Sequence, residues 1–257
     1  MSVEPGPNPQ QPVILVLRPE HQASSTLSAL QQKNWRTVHF PTITISDSPE
    51  LDKQYISTKL DHANWVFFIS RNAVNYFLKH FSTELLTSCK VAAVGNATAR
   101  ALEQANIKVT LKPSASFTSE ALLESPMLNN LRNQQVVIIR GNGGREHLAE
   151  SLKARGAEVE YAELYQREIA NQDCKRLLKH WPEINIILAT SNELLDNLLL
   201  LCRDTFGETL CKKTLLVISD RMAAHANKIG FQSIWQAPTA SDKAVIETIQ
   251  KNTPLMH

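Results

Sequence analysis

Apolar runs of four to six residues recur along the chain, and each ends in a polar or Gly-containing turn. Residues 136–139 read VVII, a β-branched run suited to a strand buried on both faces. Arg140, Gly141, Gly143 and Gly144 follow as a turn. Leu148 and Leu152 then recur at helical spacing, and Gly156 stops the helix. A second strand is predicted over 159–164, with Tyr165 at its end. The same alternation predicts strands at 13–17, 37–40, 65–69, 91–94, 108–111, 186–189, 215–218 and 232–235. Helices are expected at 20–33, 51–60, 73–81, 97–104, 119–123, 193–203, 221–229 and 242–250, with an extended segment at 41–48. Strands that alternate with helices predict α/β domains with parallel sheets and right-handed crossovers.

The pattern repeats. Arg18 matches Arg140 and Leu30 matches Leu152 at one offset, and Ser119-Glu120 matches Ser241-Asp242 at the same offset. WVFFIS (65–70) faces IILATS (186–191), and VAAVGNATARALEQANI (91–107) faces LLVISDRMAAHANKIGF (215–231), within a few positions of it. A register held over the whole chain indicates two related halves. Two boundaries are compatible with it: a cut near Asn130, or two crossings at the repeat-equivalent segments near Pro41 and Tyr165.

Composition adds bounds rather than function. A chain of 257 residues is long enough for two domains. A net charge of +2, from 27 basic and 25 acidic residues, carries no nucleic-acid or membrane signal. Cys89, Cys174, Cys202 and Cys211 make no CxxC pair and are expected to be inert thiols in a reducing cytoplasm. No histidine spacing suggests a metal site. The start of the chain lacks the basic and apolar regions of a signal peptide, and Pro5, Pro7, Pro9 and Pro12 suggest a disordered tail. No apolar run approaches the ~18 residues of a membrane span.

Candidate chemistry lies just after the predicted strands: Arg18, Ser70-Arg71-Asn72, Gly95-Asn96 with Thr98, Arg140 to Arg145, Ser191-Asn192 and Ser219-Asp220-Arg221. In open parallel sheets ligands bind at that end. Small or hydroxylic residues at a helix start accompany unpaired N–H groups at the positive end of the helix dipole, which favour carboxylates or phosphates. The same residue types are also ordinary N-caps. Residues 140–145 match neither GxGxxG nor a P-loop, and Glu163 is a weak ribose partner, so a nucleotide is not expected. Tyr165, in the polar context LYQRE, is a weak acid able to donate a proton at neutral pH, or an anchor for the linker. No GxSxG elbow is present.

The order of these segments resembles the uroporphyrinogen-III synthase family. It comprises Arg18-Pro19 after the first strand, WVFFISRNAV (65–74), VAAVGNATARAL (91–102), SEALL (119–123), IIRGNGGREHL (138–148), RGAEV (155–159) and LYQRE (164–168). Leu17 stands where family members often carry Thr, and Ser219 to Ala223 departs from the Gly95 to Ala99 pattern. The resemblance implies two Rossmann- or flavodoxin-like parallel-sheet domains joined by a two-stranded linker, with the active site in the cleft between them. It selects the discontinuous boundary: 1–42 with 168–257 as one domain and 43–167 as the inserted one. It implies cyclisation of hydroxymethylbilane, with loss of water and inversion of the terminal pyrrole ring, and no metal or redox cofactor. The implied partner is the small tetrapyrrole substrate; the charge balance gives no nucleic-acid or membrane partner, the two equivalent halves point to a monomer, and the scattered thiols to the cytoplasm. Tyr165 matches the tyrosine proposed to assist departure of the hydroxyl, and Ser70, Thr98 and Ser191 match cleft-lining positions. With the strand-end residues, the candidate substrate-binding set is Arg18, Ser70, Arg71, Asn72, Gly95, Thr98, Arg140, Gly141, Gly143, Arg145, Ser191, Asn192, Ser219 and Arg221. A non-catalytic two-domain protein that clamps a small anion is the alternative; architecture alone does not separate the two.

Overall fold

The computed structural model describes residues 11–113, 119–143 and 146–253. Its strands are β1 (Val13–Val16), β2 (Arg36–His39), β3 (Ile43–Asp47), β4 (Trp65–Phe68), β5 (Lys90–Ala93), β6 (Gln135–Gly141), β7 (Glu158–Ile169), β8 (Ile186–Leu188), β9 (Thr214–Val217) and β10 (Ser233–Gln236). The helices are α1 (Glu20–Gln31), α2 (Lys53–Asp61), α3 (Arg71–His80), α4 (Asn96–Gln104), α5 (Ser119–Leu123), α6 (His147–Ala154), α7 (Asn192–Phe206), α8 (Asp220–Ile229) and α9 (Asp242–Asn252). The chain up to Thr44 and the chain from Glu168 onward form one compact unit; Ile45–Arg167 forms the other.

In the first unit five strands lie in the order β10-β9-β8-β1-β2, all parallel. In the second the order is β3-β7-β6-β4-β5, with parallel pairing from β7 through β5. A single bridge from Ala92 to Leu111 adds an edge beside β5. The repeat matches β1 with β6, β2 with β7, β8 with β4 and β9 with β5, so both sheets share one strand order. Each compact unit nevertheless draws on both halves of the repeat. In each sheet the chain leaves one central strand (β1 or β6) for the neighbour on one side, while the strands on the other side come from another stretch. That reversal opens a crevice at the carboxyl ends of β1 and β8, and of β6 and β4.

The central strands are buried on both faces because their residues alternate between two cores. Val66, Phe68, Val137 and Ile139 pack with Leu60, Phe77 and Leu102. Trp65, Phe67, Val136 and Ile138 pack on the other side with Leu122, Leu148 and Leu152. In the first unit Ile14, Val16, Leu188 and Leu216 meet Leu30, Val245 and Ile249. Helix α7 buries Leu194, Leu195, Leu198, Cys202 and Phe206 at helical spacing.

Three expectations need correction. β7 continues to Ile169, so Tyr165 lies inside a strand rather than at its end. The continuation is held by β3: Ser48 N–H donates to Leu164 O (3.1 Å) and Ala170 N–H to Thr42 O (3.1 Å), partners that no local pattern reveals. The stretch 108–111 forms only the isolated bridge, not a strand. Cys174 and Cys202 are joined in a disulfide, with their Cα atoms 5.4 Å apart, so only Cys89 and Cys211 are free. Both bonded cysteines are buried, and their separation of 28 residues hides the pairing from spacing arguments. The segment they close, after β7, carries a 3-10 turn at Cys174–Leu177, an element the periodicity does not predict; Trp181 stacks on Phe206 at 3.8 Å. The tail expected at Pro5, Pro7 and Pro9 lies outside the described residues.

Candidate active site

The sequence pattern starts α3, α7 and α8 with serine, and each serine caps its helix. Ser70 Oγ accepts from Ala73 N–H (3.0 Å), Ser191 Oγ from Leu194 N–H (3.2 Å) and Ser219 Oγ from Met222 N–H (3.3 Å). A capping serine uses its oxygen as acceptor and keeps its own O–H as a donor. Helix α4 starts differently: Gly95 provides no side-chain cap. Thr98, in its first turn, is buried. A Cβ at Gly95 would meet only Thr98 Oγ1, at an ordinary 3.9 Å, so space does not demand glycine there.

The densest constellation is at the ends of β4, β6 and β7. Ser70 Oγ and Tyr165 Oη lie 2.9 Å apart, and either can donate. The Tyr165 ring lies against the Gly141 backbone, where an added Cβ would come within 2.8 Å of ring atoms Cδ2 and Cζ. Tyr76 of α3 flanks the same ring at 5.1 Å between centroids, and its own hydroxyl donates to Ile45 O (2.8 Å). The β6–β7 register shifts between Arg140 and Gly141, which brings Gly141 opposite Tyr165. Beyond it, Asn142 N–H donates to Tyr165 O (2.8 Å), and Asn142 Oδ1 accepts from Arg167 N–H (2.9 Å). Gly143 follows with φ +65°, a backbone region that favours glycine. Burial raises the Tyr165 pKa above the ordinary phenol value; the Ser70 hydrogen bond and Arg167 oppose that shift without cancelling it. The phenol therefore stays protonated at neutral pH.

The arginines divide into two groups. Arg18 is directed inward: it donates to Thr26 Oγ1 (2.8 Å) and Ala240 O (2.6 Å), with Asp242 at 3.7 Å. Its Nε is buried without a partner among the described residues. Burial lowers its pKa, against the pull of Asp242. Arg140, 3% exposed, donates to Glu146 Oε1 (3.0 Å) and Gly141 O (3.1 Å) and lies 3.4 Å from Glu163 Oε1. Glu163 is thereby a partner of Arg140. Arg71 and Arg221 are exposed and form no ion pair among the described residues. Asn72 is buried, and Asn192 Oδ1 is buried without a hydrogen-bond partner among the described residues. Arg145 lies outside the described residues.

Ser70 and Gly141 thus both meet Tyr165 in one unit, with Arg140 adjoining Gly141 along the chain; Ser191, Asn192, Ser219, Arg221 and Arg18 belong to the other. Sequence reasoning did not single out Tyr76 or Tyr161. Tyr76 and Tyr161 read locally as half-buried aromatics, and only tertiary packing brings them to Tyr165 and Arg140. Among the described residues no group of three or more His, Cys, Asp or Glu side chains could hold a metal, and no helix is long and apolar enough to cross a membrane.

Comparisons with known proteins agree on one family. The family described as uroporphyrinogen-III synthase HemD matches residues 24–247. Uroporphyrinogen-III synthase of Escherichia coli (strain K12) is 32% identical over 246 residues, covering 92% of this chain and 99% of that protein. The Salmonella typhimurium enzyme is 32% identical over 247 residues, with the same coverage. In fold, the chain is similar to a mutant uroporphyrinogen III synthase from the extremely thermophilic bacterium Thermus thermophilus (TM-score 0.62, 14% identity, covering 94% of this chain and 100% of that one). It is similar to uroporphyrinogen-III synthetase from Helicobacter pylori 26695 as well (TM-score 0.62, 17% identity, covering 94% and 99%). With the family matched over most of its length and a relative at 32% identity along nearly all of both chains, this chain belongs to the uroporphyrinogen-III synthase family.

Proposed function

We propose that this chain performs its family's reaction with Tyr165 as the proton donor and the strand-end helix starts as the substrate's carboxylate receptors. In that reaction linear hydroxymethylbilane loses water and closes to uroporphyrinogen III with its terminal ring inverted. The observation that carries the assignment of roles is the Ser70–Tyr165 hydrogen bond at the ends of β4 and β7. When Ser70 donates to the phenol oxygen, the Tyr165 proton is free for a ligand. The phenol gives that proton to the departing hydroxyl while a pyrrole nitrogen lone pair expels it as water. The cationic chain end is then attacked by the already substituted α-carbon of the terminal ring, giving a spiro intermediate. The bond from that carbon to its original bridging methylene breaks, the free α-carbon of the inverted ring closes onto that methylene, and the proton it loses restores the phenol. Electron push from pyrrole makes the acid's task mild. Most of the catalysis is positioning of a flexible chain.

The positioning groups are the helix starts at Ser70, Gly95, Ser191 and Ser219, where N–H groups and the dipole favour carboxylates at ~0.3–1 kcal/mol each when exposed. Exposed Arg71 and Arg221 add cations, and buried Thr98 shapes the uncapped start of α4. Gly141 and Gly143 allow the turn after β6 to approach, and Asn72, Asn192, Arg18, Arg140 and Arg145 complete the receptor. The balanced charge and the two internally equivalent halves support a monomer acting in the cytoplasm on a small molecule, without a metal or redox cofactor. Freshly made hydroxymethylbilane, incubated with and without the protein and resolved by product isomer, tests the function. Accumulation of the III isomer is expected; an isomer ratio equal to the uncatalysed one would overturn it.

A further inference from the structure

Glu146 occupies a receptor built for a carboxylate. Its Oε1 accepts from Arg140 Nη1 at 3.0 Å, and its Oε2 accepts from the Tyr161 hydroxyl. The Arg140 guanidinium is nearly fully buried and stacks 4.4 Å over the Tyr161 ring, so both donors are rigidly placed. The acceptor is not: the Glu146 side chain is 54% exposed, sits just before α6, and makes no capping hydrogen bond. Both donors line a cavity of about 200 Å³, whose apolar wall includes Ile69, Val94, Ile138 and Leu148. Ile69 and Val94 directly precede Ser70 and Gly95, so the cavity adjoins the starts of α3 and α4. A half-open chamber with an apolar wall, lined also by one buried guanidinium and one phenol, has the chemistry of a short carboxyalkyl arm. Methylenes would meet the aliphatic wall, and the carboxylate would meet the paired donors.

We propose that Glu146 is a resident stand-in, and that an acetate or propionate arm of the tetrapyrrole displaces it from Arg140 and Tyr161 to bind in this cavity. The inference rests on the function proposed above and assigns one subsite within it. Displacement follows from charge. Arg140 already has Glu163 3.4 Å from its Nε, and a third carboxylate beside Glu146 would face two like charges. Release of Glu146 costs little on its own side, because its half-exposed carboxylate regains water, while Arg140 keeps Glu163 beside it.

The test is binding of uroporphyrin III, a stable octacarboxylate, followed by tryptophan fluorescence at fixed ionic strength, alongside turnover of hydroxymethylbilane. Glu146→Ala should tighten binding about two- to fivefold, the contribution of a pair with one half-exposed member. Tyr161→Phe should weaken binding, and should abolish the gain when combined with Glu146→Ala. Glu150→Ala, an exposed carboxylate on the next turn of α6, controls for the general loss of negative charge and should give a smaller gain. Glu146→Ala that binds no tighter than wild type or than Glu150→Ala, with normal circular dichroism, overturns the stand-in role. If wild type turns over substrate and binds uroporphyrin, that failure belongs to this inference alone. If wild type does neither, the proposed function falls and takes the subsite with it.

Discussion

Tyr165 is held on three sides: Gly141 behind the ring, Tyr76 beside it and Ser70 at its hydroxyl. Tyr165→Phe keeps the packing and removes the donor. Turnover should fall by about 10²-fold or less, the low end for a general acid, because pyrrole assists departure. The remaining product should still be mostly the III isomer, and wild-type turnover at saturating substrate would reduce Tyr165 to an anchor. Ser70→Ala removes both a cap and the phenol's partner, whereas Ser191→Ala removes a cap alone. Each should cost about 1 kcal/mol of stability. Only the first should lower turnover by disturbing Tyr165, and equal activity losses in both would dismiss the Ser70–Tyr165 coupling. Cys89 supplies a pH dependence. Burial raises its thiol from 9.0 to about 11. An unfolded chain loses that proton first, so the contribution is intact below pH 9.0, shrinks as pH rises and is gone above about 11. Urea midpoints should fall between about pH 8 and about pH 10.5, and fall less in Cys89→Ala. Identical slopes would exclude the thiol as the cause.

Among the elements, α7 is tied at several points. Its start is capped by Ser191, and near that start Leu194 O accepts from Thr42 Oγ1 (3.0 Å) and Asn197 Nδ2 donates to Thr42 O (3.2 Å). Toward its other end Cys202 is bonded to Cys174, just after β7. Cross-linking across 28 residues constrains the unfolded chain. Cys202→Ser, or full reduction, should therefore lower stability by about 2–4 kcal/mol, read from denaturant curves with thiol labelling to confirm the redox state. Unchanged curves, or four reactive thiols in the oxidised unfolded protein, would show that the bond does not form. Cys202 was legible as an apolar-face residue of a helix, but its partner was not, because pairing depends on how the stretch after β7 returns to α7.

At the scale of the molecule, the two strand sets share one order, yet the compact units cross the repeat. We propose that 43–167 is an inserted domain. Expressed alone, it should unfold in one cooperative thermal transition, since β4 to β7 and both of their apolar faces lie within it. A fragment without a transition, or with a molten far-ultraviolet profile only, would contradict this. Wild-type-like melting from a fragment cut near Asn130 would contradict it equally.

Periodicity was enough to define α/β architecture, because buried parallel strands and amphipathic helices have different apolar periods, as in 136–139 against Leu148 and Leu152. The internal register exposed the repeat, and the strand-end serines were legible because capping is local chemistry. Segment order also pointed to the family. Local pattern could not decide the length of β7, which is extended by pairing with β3, or the Cys174–Cys202 bond. Nor could it reveal that Arg18 turns inward to Thr26 and Ala240, or that Glu146 fills the Arg140–Tyr161 receptor. The β7–β3 pairing, the disulfide and the Arg18–Ala240 bond join residues distant along the chain, which only the folded sheets bring within reach; the Glu146 contacts with Arg140 and Tyr161 are closer in sequence but depend on side-chain packing that periodicity does not describe.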